Sequence, residues 1–232
     1  MKKRQTVTGS QLIIFDCDGV LVDSEPLAVL AYERVYERHG MPGVGLDIIS
    51  QCFGMKQADI IARIAELTGH HYPDHAPDDL WLETKALFSE QLQPISGLPD
   101  FLSNLKIQRC VASSSSLERI HHSLDVTSIA SYFDDDAIFS SSMVRHGKPA
   151  PDIFLFAAEK MGMDPAKSAV IEDSPFGIQG AVAAGMAAIG FTGGSHSYEG
   201  HAERLLAAGA HAVCTDWAGV AAELEKRGFQ LI

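Results

Sequence analysis

A short apolar segment followed at once by two aspartates constrains this chain more than any other feature. Residues 12–15 read Leu-Ile-Ile-Phe, and Asp16, Asp18 and Gly19 follow directly. A run of strand formers without a polar face predicts a strand buried on both sides, as in a parallel sheet. Ligands of such sheets bind beyond the carboxyl ends of the strands, where both aspartates would lie. Two carboxylates this close repel each other unless a cation or proton separates them, although Asp and Gly after a strand are also ordinary turn residues.

Composition and charge narrow the classes of protein to which the chain can belong. It has 232 residues, of which 46% are hydrophobic, and a formal net charge of −12. That length supports a full core, in one large domain or in two unequal ones. The only cluster of basic residues is Lys2, Lys3 and Arg4, so we expect no nucleic-acid partner. No stretch approaches the roughly 18 apolar residues of a membrane span, and we see no secretory signal.

The four cysteines are widely spaced in apolar surroundings, which predicts buried free thiols in a reducing compartment. We therefore expect a cytoplasmic protein that has no membrane partner and is a monomer by default.

The hydrophobic periodicity changes twice along the chain. Helical patterns at 26–40, 47–53, 57–68 and 78–92 follow the first strand, and no strand pattern lies among them. Beyond residue 94 strands alternate with helices, which is typical of a parallel sheet covered by helices. The later strands are predicted at 109–112, 137–140, 169–171, 187–191 and 212–214. The chain is thus predicted to form an α/β core from residues 1–22 and 94–232, interrupted by an all-helical insert at 23–93.

Polar side chains follow several of the predicted strands. Ser113 and Ser114 come after the second strand, and Glu172 and Asp173 follow a later one, while Lys148 lies in a Gly-Lys-Pro turn before a helix. Each of these features has an ordinary structural explanation when it is taken singly. A run of serines usually lies in a loop, a lysine such as Lys148 is usually a solvated charge, and an aspartate before Ser-Pro such as Asp173 usually caps a helix. Because parallel strands present their carboxyl ends to one edge, we expect all of them to meet the first two aspartates there.

Such a group of side chains suits one kind of chemistry. Several carboxylates need a cation, and Mg²⁺ prefers carboxylate oxygens, water and a phosphate oxygen. Hydroxyls, backbone N–H groups and a lysine suit a phosphate. One carboxylate in line with that phosphate can attack it and form an aspartyl-phosphate. A second acid nearby can protonate the leaving oxygen and then deprotonate the attacking water.

Four segments, in this order, resemble the four motifs of the haloacid dehalogenase-like (HAD) hydrolase superfamily. They are Asp-Cys-Asp-Gly at 16–19, Cys-Val-Ala-Ser-Ser at 110–114, Gly-Lys-Pro at 147–149 and Glu-Asp-Ser-Pro at 172–175. The helical insert is similar to the small helical cap of the β-phosphoglucomutase-like and phosphatase branch. The resemblance implies a doubly wound, Rossmann-like parallel sheet with residues 23–93 as a cap domain. Hinges are expected near residues 22–24 and 93–97.

The resemblance also implies a role for each motif residue. It makes Asp16 the nucleophile and a metal ligand, and Asp18 the general acid/base, whose backbone carbonyl also binds the metal. By the same resemblance, Ser113 and the backbone of Ser114 bind the transferring phosphate, and Lys148 bridges the phosphate and the nucleophile. Glu172 and Asp173 are expected to bind Mg²⁺. Whether Glu172 binds the metal directly or through water stays open.

Three positions bear on the choice within the superfamily. The dehalogenases lack the second acid, whereas Asp18 is present here. The hexose-phosphate mutases carry a histidine at the position of Ala28 and an arginine at that of Gln57. The adjacent Lys56 is a candidate ligand for a phosphate or carboxylate, or else an exposed helix-end lysine.

We therefore expect a Mg²⁺-dependent phosphatase that hydrolyses a small phosphorylated metabolite, either a sugar phosphate or a sugar-acid phosphate. The alternatives are a hexose-phosphate mutase of the β-phosphoglucomutase type and a non-catalytic phosphometabolite-binding protein. A signalling receiver would share the acidic pocket but not the helical insert.

Overall fold

The computed structural model describes residues 11–73 and 77–231, so Lys2, Lys3 and Arg4 lie outside it. Six parallel strands form one sheet in the order β3-β2-β1-β4-β5-β6. The strands are β1 Leu12–Phe15, β2 Gln108–Ser113, β3 Ile138–Ser140, β4 Ser168–Glu172, β5 Ala187–Phe191 and β6 Ala212–Cys214. This is the doubly wound, Rossmann-like order, and it confirms the predicted α/β fold class. The strand order reverses between β1 and β4, which is where such sheets bind their ligands.

Ten α-helices complete the described part of the chain. They are α1 Glu25–Arg38, α2 Leu46–Ile49, α3 Gln57–Thr68, α4 Pro77–Gln91, α5 Leu98–Asn104, α6 Leu117–Val126, α7 Asp152–Met161, α8 Pro175–Ala183, α9 His201–Ala207 and α10 Trp217–Lys226. The first four follow one another without a named strand, as the sequence pattern predicts. Within the described ranges, none of these helices has the length and apolar character needed to cross a membrane.

Strand β1 is buried on both faces, as its composition predicts. Ile13 and Phe15 pack into one apolar cluster with α5, α6 and α10. Leu12 and Ile14 pack into a second cluster with α7 and α8 on the other side of the sheet. All four side chains are fully buried, because successive residues of a strand point to opposite faces.

The helical insert has an apolar cluster of its own. Buried side chains from α1, α2, α3 and α4 form it, and they include Tyr36, Ile49, Ile64 and Leu80. We refer to this helical segment as the cap. The cap boundaries at 22/23 and 93/94 stay a prediction.

The two chain segments that join cap and core run side by side. The Asp23 N–H donates to the Gln93 carbonyl at 3.0 Å, and the Ile95 N–H donates to the Leu21 carbonyl at 3.0 Å. Val22 and Pro94 form an antiparallel bridge between these bonds. Both crossings therefore lie at one place, immediately after the loop that carries the two aspartates.

Trp217 anchors the apolar cluster that holds Phe15, the residue before the first aspartate. Its ring lies 6.2 Å from that of Phe15, and it stacks on Phe101 at 4.9 Å and Phe191 at 4.6 Å between ring centroids.

We expect Trp217→Ala to lower the free energy of unfolding by about 3–5 kcal/mol, because a cavity replaces a buried aromatic ring. Urea denaturation measures this loss. Leu206→Ala, at a half-exposed position on α9, is the control, and equal losses in the two variants would contradict the assignment.

Candidate active site

Three buried carboxylates lie together at the point where the strand order reverses. Asp16 follows β1 directly, Glu172 ends the neighbouring strand β4, and Asp173 comes next. The Asp16 N–H donates to the carbonyl of Ile171 at 3.0 Å, which ties the loop to β4. One oxygen from each carboxylate lies within 4.8 Å of the others, and no residue of the three is more than 5% exposed. We call these three residues the acidic cluster.

Lys148 supplies a buried positive charge to the acidic cluster. Its Nζ donates to Asp16 Oδ1 at 2.7 Å and to Glu172 Oε1 at 2.5 Å. Burial alone would lower the pKa of Lys148, but the two carboxylates outweigh it and raise that pKa above its usual value. The lysine is therefore held in its charged form.

The carboxylates nevertheless lack enough positive charge. Burial raises the pKa of Asp16 well above its ordinary value, and the charge of Lys148 offsets this only in part. Burial raises the pKa of Glu172 in the same way. Three close carboxylate oxygens with too little cationic charge suit a hard divalent ion. The donor set therefore fits a divalent metal.

The start of α8 fixes the orientation of Glu172. Its Oε2 accepts hydrogen bonds from the backbone N–H of Ser174 at 2.9 Å and from the Ser174 hydroxyl at 3.0 Å. A Cβ at Gly177 would lie 1.8 Å from Glu172 Oε1, so only glycine fits there. The negative side chain thus lies at a helix N-terminus, where exposed N–H groups favour it.

Two histidines that the sequence analysis did not select hold Asp173. His196 Nε2 lies 2.9 Å from Asp173 Oδ2, and His201 Nε2 donates to the Asp173 carbonyl at 2.7 Å. Burial lowers the pKa of His196, but contact with the Asp173 carboxylate raises it to about 9. His196 lies in the loop after β5 and His201 begins α9, so neither stands directly at the carboxyl end of a strand, where the sequence analysis located most of the other site residues.

Gly19 allows the first loop to approach Asp173. It has a φ of +74°, and a Cβ there would lie 2.0 Å from Asp173 Oδ2. A side chain at this position would therefore displace a residue of the acidic cluster as well as strain the backbone.

The Asp18 carboxylate does not belong to the acidic cluster, because it bonds elsewhere. Its Oδ1 accepts from Arg119 Nη2 at 2.8 Å and its Oδ2 from the Ser115 hydroxyl at 2.6 Å. Burial tends to raise the pKa of Asp18, but the Arg119 charge and these hydrogen bonds bring it below its usual value. Nothing in the sequence pattern indicates Arg119, which lies on α6, a hundred residues further along the chain.

The remaining predicted residues lie along the boundary between cap and core. Ser113 ends β2, and its Oγ accepts from the Ser115 N–H at 3.1 Å. The Ser114 hydroxyl donates to the carbonyl of Gly54 in the cap at 2.8 Å. Lys56 precedes α3 and extends from the cap to the carbonyl of Ser141 at 3.3 Å. Ser114 and Lys56 thus make contacts between cap and core, whereas the Ser113 hydroxyl bonds within its own core loop.

The sequence model of the haloacid dehalogenase-like hydrolase family matches residues 13–191, which include every residue of the candidate site except His196 and His201. The chain belongs to this family. Among solved HAD-like structures, an Agrobacterium tumefaciens protein of unknown function is 35% identical, with a TM-score of 0.80, and the match covers 95% of this chain and 100% of that one. A Deinococcus radiodurans HAD family hydrolase, solved with bound phosphate and sodium, is 29% identical with a TM-score of 0.75, over 94% of this chain and 96% of that one.

Curated HAD-like relatives carry the names of phosphatases. A phosphorylated-carbohydrate phosphatase of Thermotoga maritima is 31% identical over 88% of this chain and 93% of its own length. A fructose-1-phosphate phosphatase of Escherichia coli is 34% identical over 76% of this chain and 94% of its own length. A 6-phosphogluconate phosphatase of the same organism is 27% identical over 81% of this chain and 85% of its own length. The chain is accordingly a HAD-like phosphatase, that is, a phosphoric monoester hydrolase.

Removal of Lys148 should reveal how far the buried carboxylates depend on it. In metal-free protein, we expect Lys148→Met to cost about 3–5 kcal/mol of unfolding free energy at pH 8 and less at pH 5. The pKa values of Asp16 and Glu172 are raised in the folded state, so the folded protein binds more protons than the unfolded chain, and stability falls as pH rises from their unfolded values. Lys148 holds both pKa values down, so without it the pH range over which stability falls extends to higher pH. Urea denaturation at both pH values measures the effect.

Lys167→Met, at an exposed position just before β4, is the matched control for loss of a lysine charge. A Lys148→Met penalty that is the same at both pH values, or no larger than that of the control, would contradict this account.

Proposed function

We propose that this HAD-like phosphatase is Mg²⁺-dependent and hydrolyses a small phosphorylated metabolite, a sugar phosphate or a sugar-acid phosphate, through an aspartyl-phosphate. The acidic cluster with Lys148 bonded to two of its members is the observation that carries the proposal. The names of the curated relatives support the substrate class, since they include phosphatases of sugar phosphates and of a sugar-acid phosphate.

Asp16 is the proposed nucleophile. A carboxylate oxygen of Asp16 attacks phosphorus, the bond from phosphorus to the alcohol oxygen breaks, and water then cleaves the resulting acyl phosphate. Lys148, bonded to Asp16, both orients this carboxylate and stabilises negative charge on the transferring group. The Ser113 hydroxyl and the backbone of Ser114 are the proposed further donors to the phosphate.

Asp16, Glu172 and Asp173 are the residues that would hold Mg²⁺, with the backbone carbonyl of Asp18 as a proposed further ligand. When bound, the ion supplies positive charge that offsets the charge of the phosphoryl oxygens during transfer. Bonds to Ser174 and contact with His196 then keep Glu172 and Asp173 oriented toward the site.

Asp18 is the proposed general acid and base. It protonates the leaving alcohol oxygen in the first step and removes a proton from the attacking water in the second. Its bonds to Arg119 and Ser115 favour the ionised form, which suits the second step. For the first step the incoming substrate has to displace at least one of these bonds, so that the carboxyl group can hold a proton.

Hydrolysis is favoured over phosphoryl transfer within a sugar. Ala28 lies buried on α1 at the position where the mutases carry a histidine. Because that histidine is absent, we infer that water, rather than a second sugar hydroxyl, accepts the phosphoryl group. Lys56, which bonds to the Ser141 carbonyl at the cap–core boundary, is proposed to bind an anionic group of the substrate, a role that fits either reaction.

Turnover of p-nitrophenyl phosphate tests the proposal. We expect EDTA to abolish turnover and added Mg²⁺ to restore it. Asp16→Asn should remove activity almost completely, because no carboxylate remains to attack phosphorus. Asp18→Asn should lower kcat by roughly 10²- to 10⁴-fold, the usual contribution of a general acid/base.

Asp135→Asn, a change to an exposed acidic residue far along the chain, controls for loss of a negative charge. Full activity in EDTA, or an active Asp16→Asn variant, would disprove the mechanism.

A further inference from the structure

A cap residue contacts the histidine that holds Asp173. The ring of Phe53, which precedes α3 in the cap, lies 5.6 Å from that of His196 between centroids and perpendicular to it. His196 in turn places its Nε2 2.9 Å from Asp173 Oδ2, and only 3% of its side chain is exposed. Phe53 therefore lies two contacts away from a residue of the acidic cluster, although it belongs to the cap.

The backbone of two core loops leaves the His196 ring little room to move. A Cβ at Gly19 would lie 2.9 Å from its Cε1, and a Cβ at Gly194 would lie 2.7 Å from its Nδ1. The residue before it, Ser195, donates its N–H to Asp23 Oδ1 at 3.0 Å, at the first linker between core and cap. His196 and its loop are therefore in contact with the core, the linker and the cap.

The residue after Phe53 makes a similar contact with a second partner of the acidic cluster. A Cβ at Gly54 would come within 2.4 Å of the Ser174 hydroxyl, which itself donates to Glu172 Oε2 at 3.0 Å. Adjacent cap residues thus contact the two side chains that orient Glu172 and Asp173. Side chains that fix the orientation of metal ligands usually change metal affinity when they are altered. Contact with the cap is therefore expected to affect the metal ligands through these partners.

We propose that Phe53 is a positioning residue for the metal site, which holds His196 against Asp173 when the cap is closed and so strengthens the binding of Mg²⁺. This inference rests on the proposed function, because it takes Asp173 as a ligand of the ion. When cap and core separate, Phe53 leaves the imidazole, and Asp173 loses a constraint on its orientation. Because coupling between two binding events is reciprocal, bound Mg²⁺ also favours the closed cap.

Calorimetric titration of metal-free protein with Mg²⁺, in the absence of substrate, tests the proposal. We expect His196→Asn to weaken the affinity for Mg²⁺ about tenfold or more, the usual effect of removing a side chain that orients a metal ligand. Phe53→Ala should weaken it by about two- to tenfold, which corresponds to the loss of an edge-to-face ring contact. In the double variant the loss should equal that of His196→Asn alone, because Phe53 acts through His196.

Turnover of p-nitrophenyl phosphate separates positioning from a general loss of structure. In Phe53→Ala the Mg²⁺ concentration that gives half-maximal rate should rise by the factor seen in the titration, while kcat at saturating Mg²⁺ should change by less than that factor. Ile61→Ala, at a residue that packs against the same apolar cluster of the cap as Phe53, is the matched control and should change neither quantity. If thermal denaturation shows that Phe53→Ala does not fold, Phe53→Val, with a larger apolar side chain than alanine, takes its place in both measurements.

The outcomes distinguish this inference from the function on which it rests. Unchanged Mg²⁺ affinity in the Phe53 variant would overturn the inference alone, as would equal losses in that variant and in Ile61→Ala, or additive losses in the double variant. If the wild-type protein bound no Mg²⁺ and hydrolysed p-nitrophenyl phosphate equally well in EDTA, the proposed function would fail and the inference with it.

Discussion

The charge buried between β1 and β4 is the constraint on which the rest of the structure depends. Lys148 lies between Asp16 and Glu172 in a space where each unpaired charge would cost several kcal/mol. The surrounding structure is shaped to that requirement: α8 directs its N-terminal donors at one carboxylate, and Gly19 and Gly177 leave room where any side chain would collide with an acid. The close approach of these charged groups lowers stability locally. Burial of β1 and of the apolar cluster around Phe15 and Trp217 compensates for that loss.

The same charge balance explains why the site suits a metal and a phosphate together. With all three carboxylates ionised, one lysine leaves a surplus of negative charge, and the raised pKa values of Asp16 and Glu172 are the sign of it. A divalent cation removes that surplus and makes room for the negative charge of a phosphate ester. The pKa of Asp18 is not raised, because Arg119 and Ser115 bind its carboxylate. Two aspartates one residue apart therefore have pKa values shifted in opposite directions. Unequal environments of this kind fit the roles proposed for the two residues, which are attack on phosphorus by Asp16 and proton transfer by Asp18.

Much of the fold could be predicted because local pattern and topology agree. Strand β5 and helix α3 have the predicted bounds. The acidic pairs at 16–18 and 172–173 lie at the carboxyl ends of adjacent parallel strands, and such ends meet at one edge of the sheet, so the pairs could be predicted to lie together. The partners that orient those acids could not be predicted as readily. Arg119 binds Asp18 from 101 positions further along the chain, and no spacing in the sequence indicates that contact. Ser24 precedes α1 but makes no capping bond with its side chain, although serine is a common residue at that position.

The contacts between cap and core describe a closed arrangement. Gly54 lies against Ser174, where a Cβ would come within 2.4 Å of the hydroxyl, and the ring of Phe53 lies 5.6 Å from that of His196. Phe53, Ser174 and His196 border a cavity beside Asp173 that has a volume of about 20 Å³, enough for a water molecule. The paired linkers at Val22 and Pro94 stay the predicted hinge between cap and core, and in the described part of the chain the backbone bonds of Asp23 and Ile95 join them there.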